Sequence, residues 1–190
     1  MSHMLNINTD NVAQSYEDFR FKVKEGKSFA VTGLTSVLRL FLLSKIKTYS
    51  KKKVLFITST EQSALKYQSD LNTAFKMNSC VMPFQNISMY ETVAPNLYDY
   101  AEQIKILREQ PDIVICPVKA LLEKFPNSEF LKKNSLTIKI GDILDLKKLA
   151  GKLVNLGYKK STMVNDISEF SIRGDIADIY SLNENPVRIE

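Results

Sequence analysis

Short apolar runs alternate with longer, helix-periodic segments, and this alternation is the feature that most constrains the fold. In Val12–Lys24 the apolar side chains recur at steps of three and four residues, which is typical of an amphipathic helix. In Asp112–Cys116 every residue after the first is apolar, as in a strand buried on both faces of a parallel sheet. The alternation therefore predicts an α/β fold with a mostly parallel sheet for the first part of the chain.

The same patterns place the other elements of this first part. Three more helices are predicted, at Thr35–Thr48, from Thr60 to about Lys76, and at Tyr98–Arg108. Thr60 is the expected N-cap of the second of these. Three more strands are predicted at Ser28–Thr32, Val54–Thr58 and Cys80–Pro83. Residues 1–4 resemble a tag remnant and are set aside, so the expected first domain spans residues 5–126.

After Pro126 the pattern changes to short strands around one helix. The helix is predicted at Leu144–Leu156, and the strands at Ser135–Ile140, Ser161–Asn165, Glu169–Arg173, Ile176–Tyr180 and Pro186–Glu190. This part is predicted to be a smaller, mixed α+β domain over residues 127–190. Because its last strand runs to the final residue, we expect this domain to be truncated.

Histidine and cysteine usage excludes several kinds of active site. The one histidine, His3, lies in the segment set aside, which excludes Ser-His and Cys-His catalysis and most metal sites. Cys80 and Cys116 lie in apolar runs, which favours free buried thiols in a reducing compartment. No apolar run reaches the roughly 18 residues of a membrane helix. We therefore expect a cytoplasmic protein with no metal and no membrane partner.

The positive charge of the chain consists mostly of scattered lysines. The formal net charge is +5, and residues 119–160 hold 10 basic and 4 acidic residues. A nucleic-acid-binding domain more often concentrates arginine and aromatic residues on one surface. A solvated, lysine-rich surface is the favoured interpretation, and a DNA-binding path along residues 119–160 stays open as the alternative.

The junction between the first predicted strand and the next helix is where an NTPase would carry a phosphate-binding loop. When the pattern G-x-x-x-x-G-K-[ST] is placed on this junction, its glycines become Ala30 and Thr35, and Gly33 is the only glycine present. Ser36 replaces the phosphate-binding lysine, and Val37 replaces the hydroxyl residue that binds magnesium. Nucleotide hydrolysis is therefore not expected here, whether the loop is degenerate or was always a simple Thr-Gly turn.

Two aspartates beside a predicted strand, Asp175 and Asp178, are three residues apart and raise the possibility of a carboxylate pair. We interpret them instead as solvated residues of a turn and a sheet edge. No catalytic residue is therefore predicted from the carboxylates.

Longer motifs occur at Pro111–Leu122, Glu169–Tyr180 and Pro186–Glu190, and they resemble the N-terminal, UvrB-like module of bacterial transcription-repair coupling factors (Mfd). The stretch Pro111–Leu122 is similar to the family's "DIVVxPVRALLQ", and two shorter matches follow at residues 140–142 and 156–158. The block Glu169–Tyr180, followed by Pro186–Glu190, resembles "GEFxxRGxILDIFPxxxxxPVRIE". UvrB shares this last block but carries an intact phosphate loop, so the coupling factors are the better match.

The resemblance implies a helicase-like α/β domain, with a degenerate phosphate loop, followed by a smaller inserted domain that docks on UvrA. It implies that this segment is not itself an enzyme and holds no cofactor, whereas ATP and magnesium belong to the motor domains of the full-length protein. That full-length protein would be an ATP-dependent DNA translocase that also binds RNA polymerase and double-stranded DNA. The segment would recruit UvrA to stalled RNA polymerase in transcription-coupled nucleotide excision repair.

Two arginines match the family's UvrA-recruiting positions: Arg173, before Gly174, and Arg188, within Pro-Val-Arg-Ile-Glu. They are the only basic residues in the segment 161–190, and strand alternation predicts that both point away from their apolar neighbours. The simpler alternative is that each arginine pairs with a nearby carboxylate such as Glu169, Asp175 or Glu190. A UvrB-like or helicase-like NTPase and a DNA-binding module remain the alternative functions.

Overall fold

The structure of this chain is a computed structural model, and it describes residues 3–6, 12–85, 96–182 and 185–190. The chain divides into two compact units. The first comprises Met1–Met82 and Glu109–Leu122, and the second comprises Pro83–Arg108 and Glu123–Glu190. The chain therefore leaves the first unit and returns to it for one short segment, whereas the sequence predicted a single boundary at residue 126.

The described residues of the first unit form helices and parallel strands in alternation. In chain order these are β1 (His3–Asn6), α1 (Val12–Glu25), β2 (Phe29–Thr32), α2 (Ser36–Ser50), β3 (Val54–Thr58), α3 (Glu61–Ala74), β4 (Ser79–Val81) and β5 (Ile113–Pro117). A 3₁₀ turn at Ala120–Leu122 follows β5. β1 pairs with β2, while β3, β5 and β4 form a three-stranded sheet in that order, and every pairing is parallel. The elements predicted for this part are confirmed, with small shifts at their ends.

The N-terminal residues take part in the first of these sheets. His3 and Met4, which belong to the segment that resembles a tag remnant, lie in β1 and pair with Phe29 and Ala30 of β2. Met1 and Ser2 lie outside the described residues. At the start of α3 the predicted cap is confirmed, because the Thr60 side chain accepts a hydrogen bond from the backbone N–H of Ser63 at 3.2 Å.

The main core of the first unit lies between the three-stranded sheet and helices α2 and α3. Ile113 and Ile115 of β5 are completely buried and pack with Leu43 of α2 and Leu71 of α3. Burial of apolar surface of this kind is the main favourable term in folding. Both cysteines are free thiols; Cys116 is buried, as predicted, and Cys80 is half-buried.

In the second unit a four-stranded sheet packs on one helix. The elements are α4 (Leu97–Glu109, whose last residue belongs to the first unit), α5 (Ser128–Lys133), α6 (Leu146–Asn155), β6 (Lys159–Lys160), β7 (Glu169–Arg173), β8 (Ile176–Tyr180) and β9 (Val187–Ile189). The strand order is β6-β7-β8-β9, with β6 parallel to β7 and the other pairs antiparallel. The core joins α6 to the sheet through Leu149, Leu153, Phe170, Ala177 and Ile179.

Two strands predicted for the second unit are wrong. Ser135–Ile140 alternates in sequence, but only Ile138 packs against the core, and Ile140 is fully exposed at a turn. Ser161–Asn165 is not a strand either, because the Ser161 hydroxyl donates to the backbone carbonyl of Met163 and turns the chain. Alternation predicts a strand only where a neighbouring strand pairs with the segment along its length. Ser161 still donates its backbone N–H to the carbonyl of Phe170 at 2.8 Å, but the strand pairing of β6 with β7 covers only Lys159 and Lys160.

The fold is thus a mixed α/β arrangement with a parallel three-stranded sheet and a separate mixed sheet, which agrees with the predicted fold class at this level. Within the described part of the chain, no helix is long and apolar enough to cross a membrane.

Candidate partner-binding surface

A two-residue turn fixes the register of the hairpin formed by β7 and β8. Arg173 pairs with Ile176, so the turn consists of Gly174 and Asp175. Gly174 has a φ of 60°, and such tight hairpin turns favour glycine at the position that requires a positive φ. This register places Ser171 directly opposite Asp178.

The alternation of side chains gives this sheet one apolar and one polar face. Phe170, Ile172, Ala177, Ile179 and Ile189 form or contact the core with α6. The residues between them in sequence lie on the other face, because successive side chains of a strand point to opposite sides. Asp178 pairs with Arg188 of β9, so this polar face brings together the side chains of three strands.

Both predicted arginines contact the same carboxylate. Arg188 binds Asp178 through two hydrogen bonds, from Nε to Oδ1 at 2.7 Å and from Nη2 to Oδ2 at 3.1 Å. Arg173 donates from Nη2 to Oδ2 of Asp178 at a longer 3.4 Å. The Asp178 side chain is 18% exposed, against 62% for Arg173 and 58% for Arg188. We call these three residues the arginine–aspartate cluster.

The cluster stabilises the charged form of its carboxylate. The hydrogen bonds from Arg188 lower the pKa of Asp178 below its ordinary value, and Arg173 lowers it further. The same hydrogen bonds raise the pKa of the Arg188 guanidinium. Asp178 is therefore an anion, and Arg188 a cation, at any pH near neutrality.

One carboxylate cannot neutralise two guanidinium groups, so the cluster keeps a formal charge of about +1. A guanidinium has about five N–H donors. Asp178 uses two donors of Arg188 and one of Arg173. The cluster is thus suited to bind an acidic group, because arginine forms paired hydrogen bonds with carboxylates.

The alternative that each arginine pairs with a nearby carboxylate is confirmed, but the carboxylate is Asp178, which was not among the predicted partners. The Glu169 carboxylate instead accepts hydrogen bonds from the backbone N–H groups of Asn165 and Asp166, at 3.0 and 3.2 Å. Asp178 was interpreted above as a solvated edge residue, which is wrong, because it lies on β8 between two neighbouring strands. Its alternation with Ala177 and Ile179 in β8 indicated the face of the strand on which it lies, but not the strands that pair beside it.

The junction that would hold a phosphate loop in an NTPase is a turn with a capped helix. Ala30 lies in β2, and Gly33 follows the strand with a φ of 75°. Thr35 is the N-cap of α2, where its side chain accepts a hydrogen bond from the backbone N–H of Leu38 at 3.3 Å. Ser36 and Val37 begin α2, and Val37 is 71% exposed. The segment 30–37 contains no basic residue that could bind a phosphate.

A shallow cavity of about 370 Å³ lies in the second unit and includes Tyr98 of α4 and Tyr180 of β8 in its wall. Beside it, the Tyr98 hydroxyl donates to Oδ1 of Asp166 at 2.7 Å. This hydrogen bond raises the pKa of Tyr98 and lowers that of Asp166. Both shifts keep the proton on Tyr98 and leave Asp166 ionised, so this pair is poorly suited to transfer a proton near neutral pH.

Comparison with known proteins identifies the family to which these features relate. Residues 136–190 match the model of the UvrB interaction domain. The transcription-repair-coupling factor of Borreliella burgdorferi is 32% identical over 171 residues, which are 85% of this chain and 15% of that protein. The Bacillus subtilis and Staphylococcus aureus (strain MRSA252) factors are 31% and 30% identical over 86% and 84% of the chain.

This chain is a relative of the transcription-repair coupling factors. The resemblance predicted from its sequence blocks is therefore confirmed. The chain spans about 15% of the length of the coupling factors that it matches. The matched UvrB interaction domain contains α6, the four-stranded sheet and the whole arginine–aspartate cluster.

Proposed function

We propose that this chain is a non-catalytic docking module of a transcription-repair coupling factor and that it binds UvrA. It would act in the cytoplasm and bring UvrA to RNA polymerase stalled on damaged DNA, in transcription-coupled nucleotide excision repair. RNA polymerase, double-stranded DNA, ATP and magnesium would be bound by other parts of a full-length coupling factor. The names of the relatives and of the matched domain support this assignment.

The observation that carries the proposal is the arginine–aspartate cluster inside the UvrB interaction domain. Arg173 and Arg188 are more than half exposed, although both contact Asp178. Arginine is enriched among the residues that dominate protein–protein binding, because its planar group makes several hydrogen bonds in a fixed geometry. The polar face of the β7–β9 sheet is therefore the proposed UvrA-binding surface.

We also propose that the first unit is a helicase-like domain without nucleotide chemistry. Its parallel strands alternate with helices, in keeping with such a domain. At the site of a phosphate loop, Thr35 caps α2, and neither a lysine nor a second glycine is present. A nucleotide-binding function would predict that ATP with magnesium raises the melting temperature, and we expect no such rise.

Calorimetric titration of UvrA with this chain tests the proposal. We expect Arg173→Ala and Arg188→Ala each to weaken binding by about tenfold or more, as loss of a central interface arginine does. Lys133→Ala is the matched control, because it removes an exposed positive charge from α5, which lies outside the matched residues 136–190. Circular dichroism of every variant establishes that its fold is retained.

Three outcomes would contradict the proposed function. The first is that the folded wild-type chain does not bind UvrA. The second is that both arginine variants bind UvrA as tightly as the wild type does. The third is tight binding of double-stranded DNA that weakens steeply as salt rises, which would favour the lysine-rich segment 119–160 as a nucleic-acid surface.

A further inference from the structure

Asp178 has a different place in the cluster from the two arginines. It lies on β8, which is paired on both sides, whereas Arg173 lies at the turn end of β7 and Arg188 on the outer strand β9. Its side chain is 18% exposed, so it is much less accessible than the arginines that it contacts. Asp178 is thus the fixed member of the cluster.

Holding an arginine in one conformation affects how tightly it can bind. A free arginine side chain samples many rotamers, and binding a partner requires that most of this freedom be lost. The paired hydrogen bonds from Arg188 to Asp178 restrict the guanidinium before any partner arrives. Arg173 is restricted more weakly, by one longer hydrogen bond.

We infer that Asp178 is a positioning residue for docking: it orients both guanidinium groups so that together they bind one acidic group of the partner. This inference rests on the proposed function and adds the chemistry of the contact. The cluster has a formal charge of about +1, so a single carboxylate of UvrA would neutralise it. That carboxylate would accept hydrogen bonds from the N–H groups that Asp178 does not use.

The competing possibility is that Asp178 masks the arginines. A partner carboxylate would then have to displace Asp178, and removing the Asp178 charge would strengthen binding. The geometry favours positioning, because Asp178 uses only two of about five N–H groups of Arg188 and one of Arg173. The two possibilities predict changes of affinity in opposite directions.

The test compares UvrA binding by Asp178→Asn and Asp175→Asn variants of the full chain. Asp178→Asn keeps the shape and one acceptor oxygen but removes the charge, and we expect about tenfold weaker binding. Asp175→Asn removes the same charge from the exposed turn of the same hairpin, and we expect binding within about twofold of the wild type. Binding by Asp178→Asn that equals or exceeds that of the wild type would overturn the inference.

A double-mutant cycle separates positioning from a general effect on the fold. If Asp178 acts through Arg188, then Arg188→Ala should weaken binding less in the Asp178→Asn background than in the wild type. Equal losses in both backgrounds would mean that Asp178 does not act through Arg188, and the inference would fail.

The free protein gives a readout that does not depend on UvrA. In proton–nitrogen NMR spectra, we expect the Arg188 Nε–H to exchange slowly in the wild type and faster in Asp178→Asn. Fast exchange in the wild type would overturn the positioning role. If the wild-type chain shows this slow exchange but does not bind UvrA, the proposed function fails, whereas the contact between Asp178 and Arg188 is retained.

Discussion

A single carboxylate determines the electrostatics of the candidate surface. Asp178 accepts hydrogen bonds from two arginines on different strands, and its charged form is stabilised by both. An aspartate whose pKa is lowered on folding stabilises the folded state above its ordinary pKa, and this contribution is lost as the pH falls through the lowered pKa. Acid should therefore loosen this cluster only after ordinary aspartates have begun to protonate.

Arg188→Ala should raise the pKa of Asp178 back toward 3.8, the ordinary aspartate value, because it removes the largest cause of the shift. Carbon-13 NMR of the carboxyl group during an acid titration measures this pKa directly. Arg173→Ala is the internal comparison, and its effect should be smaller because its hydrogen bond is longer. A pKa of Asp178 that does not change in Arg188→Ala would contradict the arrangement of the cluster.

At the residue scale, the sequence analysis singled out Arg173 and Arg188 as candidates but did not indicate that both contact Asp178. Arg173 and Arg188 were found through family motifs, and alternation placed them opposite apolar neighbours. Asp178 was missed because its role depends on the pairing of three strands, two of which are linked by a turn and the third by a longer connection. Pairing across such a connection is not encoded in any local pattern.

At the element scale, the β7–β8 hairpin and the helix α6 each contain a glycine. Substitution of these two glycines by alanine should change the stability of the second unit in opposite directions. Gly174 has a φ of 60°, where alanine is strained, so Gly174→Ala should destabilise the second unit by about 1 kcal/mol. Gly151 lies inside α6 with open space around it, so Gly151→Ala should stabilise the unit by about 0.5–1 kcal/mol. Thermal unfolding of both variants measures these changes. Melting temperatures that shift in the same direction would contradict the backbone conformations described for the two glycines.

Strand prediction succeeded where an apolar pattern and a paired neighbour coincide. The strands β3, β7 and β8 have the predicted bounds, and each has its pattern reinforced by burial against a helix. Ser135–Ile140 has the pattern without the neighbour, and its backbone is irregular. Local alternation is therefore informative about side-chain faces but not about whether a backbone finds a hydrogen-bonding partner.

At the scale of the whole molecule, the path of the chain between the two units could not be predicted from composition. The change of pattern at Pro126 predicted one domain boundary, whereas the segments 83–108 and 109–122 belong to different units. This assignment depends on packing between segments that are distant in sequence. The predicted combination of a parallel sheet in one unit and a mixed α+β arrangement in the other nevertheless agrees, because each unit keeps the element types that its periodicity indicates.

A polypeptide that ends at Gln85 should not fold cooperatively. β5 lies between β3 and β4, so such a fragment would lack the strand to which both neighbours are hydrogen-bonded. It would also lose Ile113 and Ile115 from the core. Urea unfolding followed by circular dichroism should show a broad, non-cooperative transition, whereas a sharp transition would mean that β5 is dispensable.

The central position of β5 also has a consequence for synthesis on the ribosome. β3 and β4 leave the ribosome before β5 and are not neighbours in the finished sheet. At about 5–20 residues per second, the stretch from Val81 to Ile113 takes roughly two to six seconds to synthesise. During that interval the nascent chain contains two strands whose shared partner does not yet exist, and unpaired strand edges of this kind are prone to aggregation.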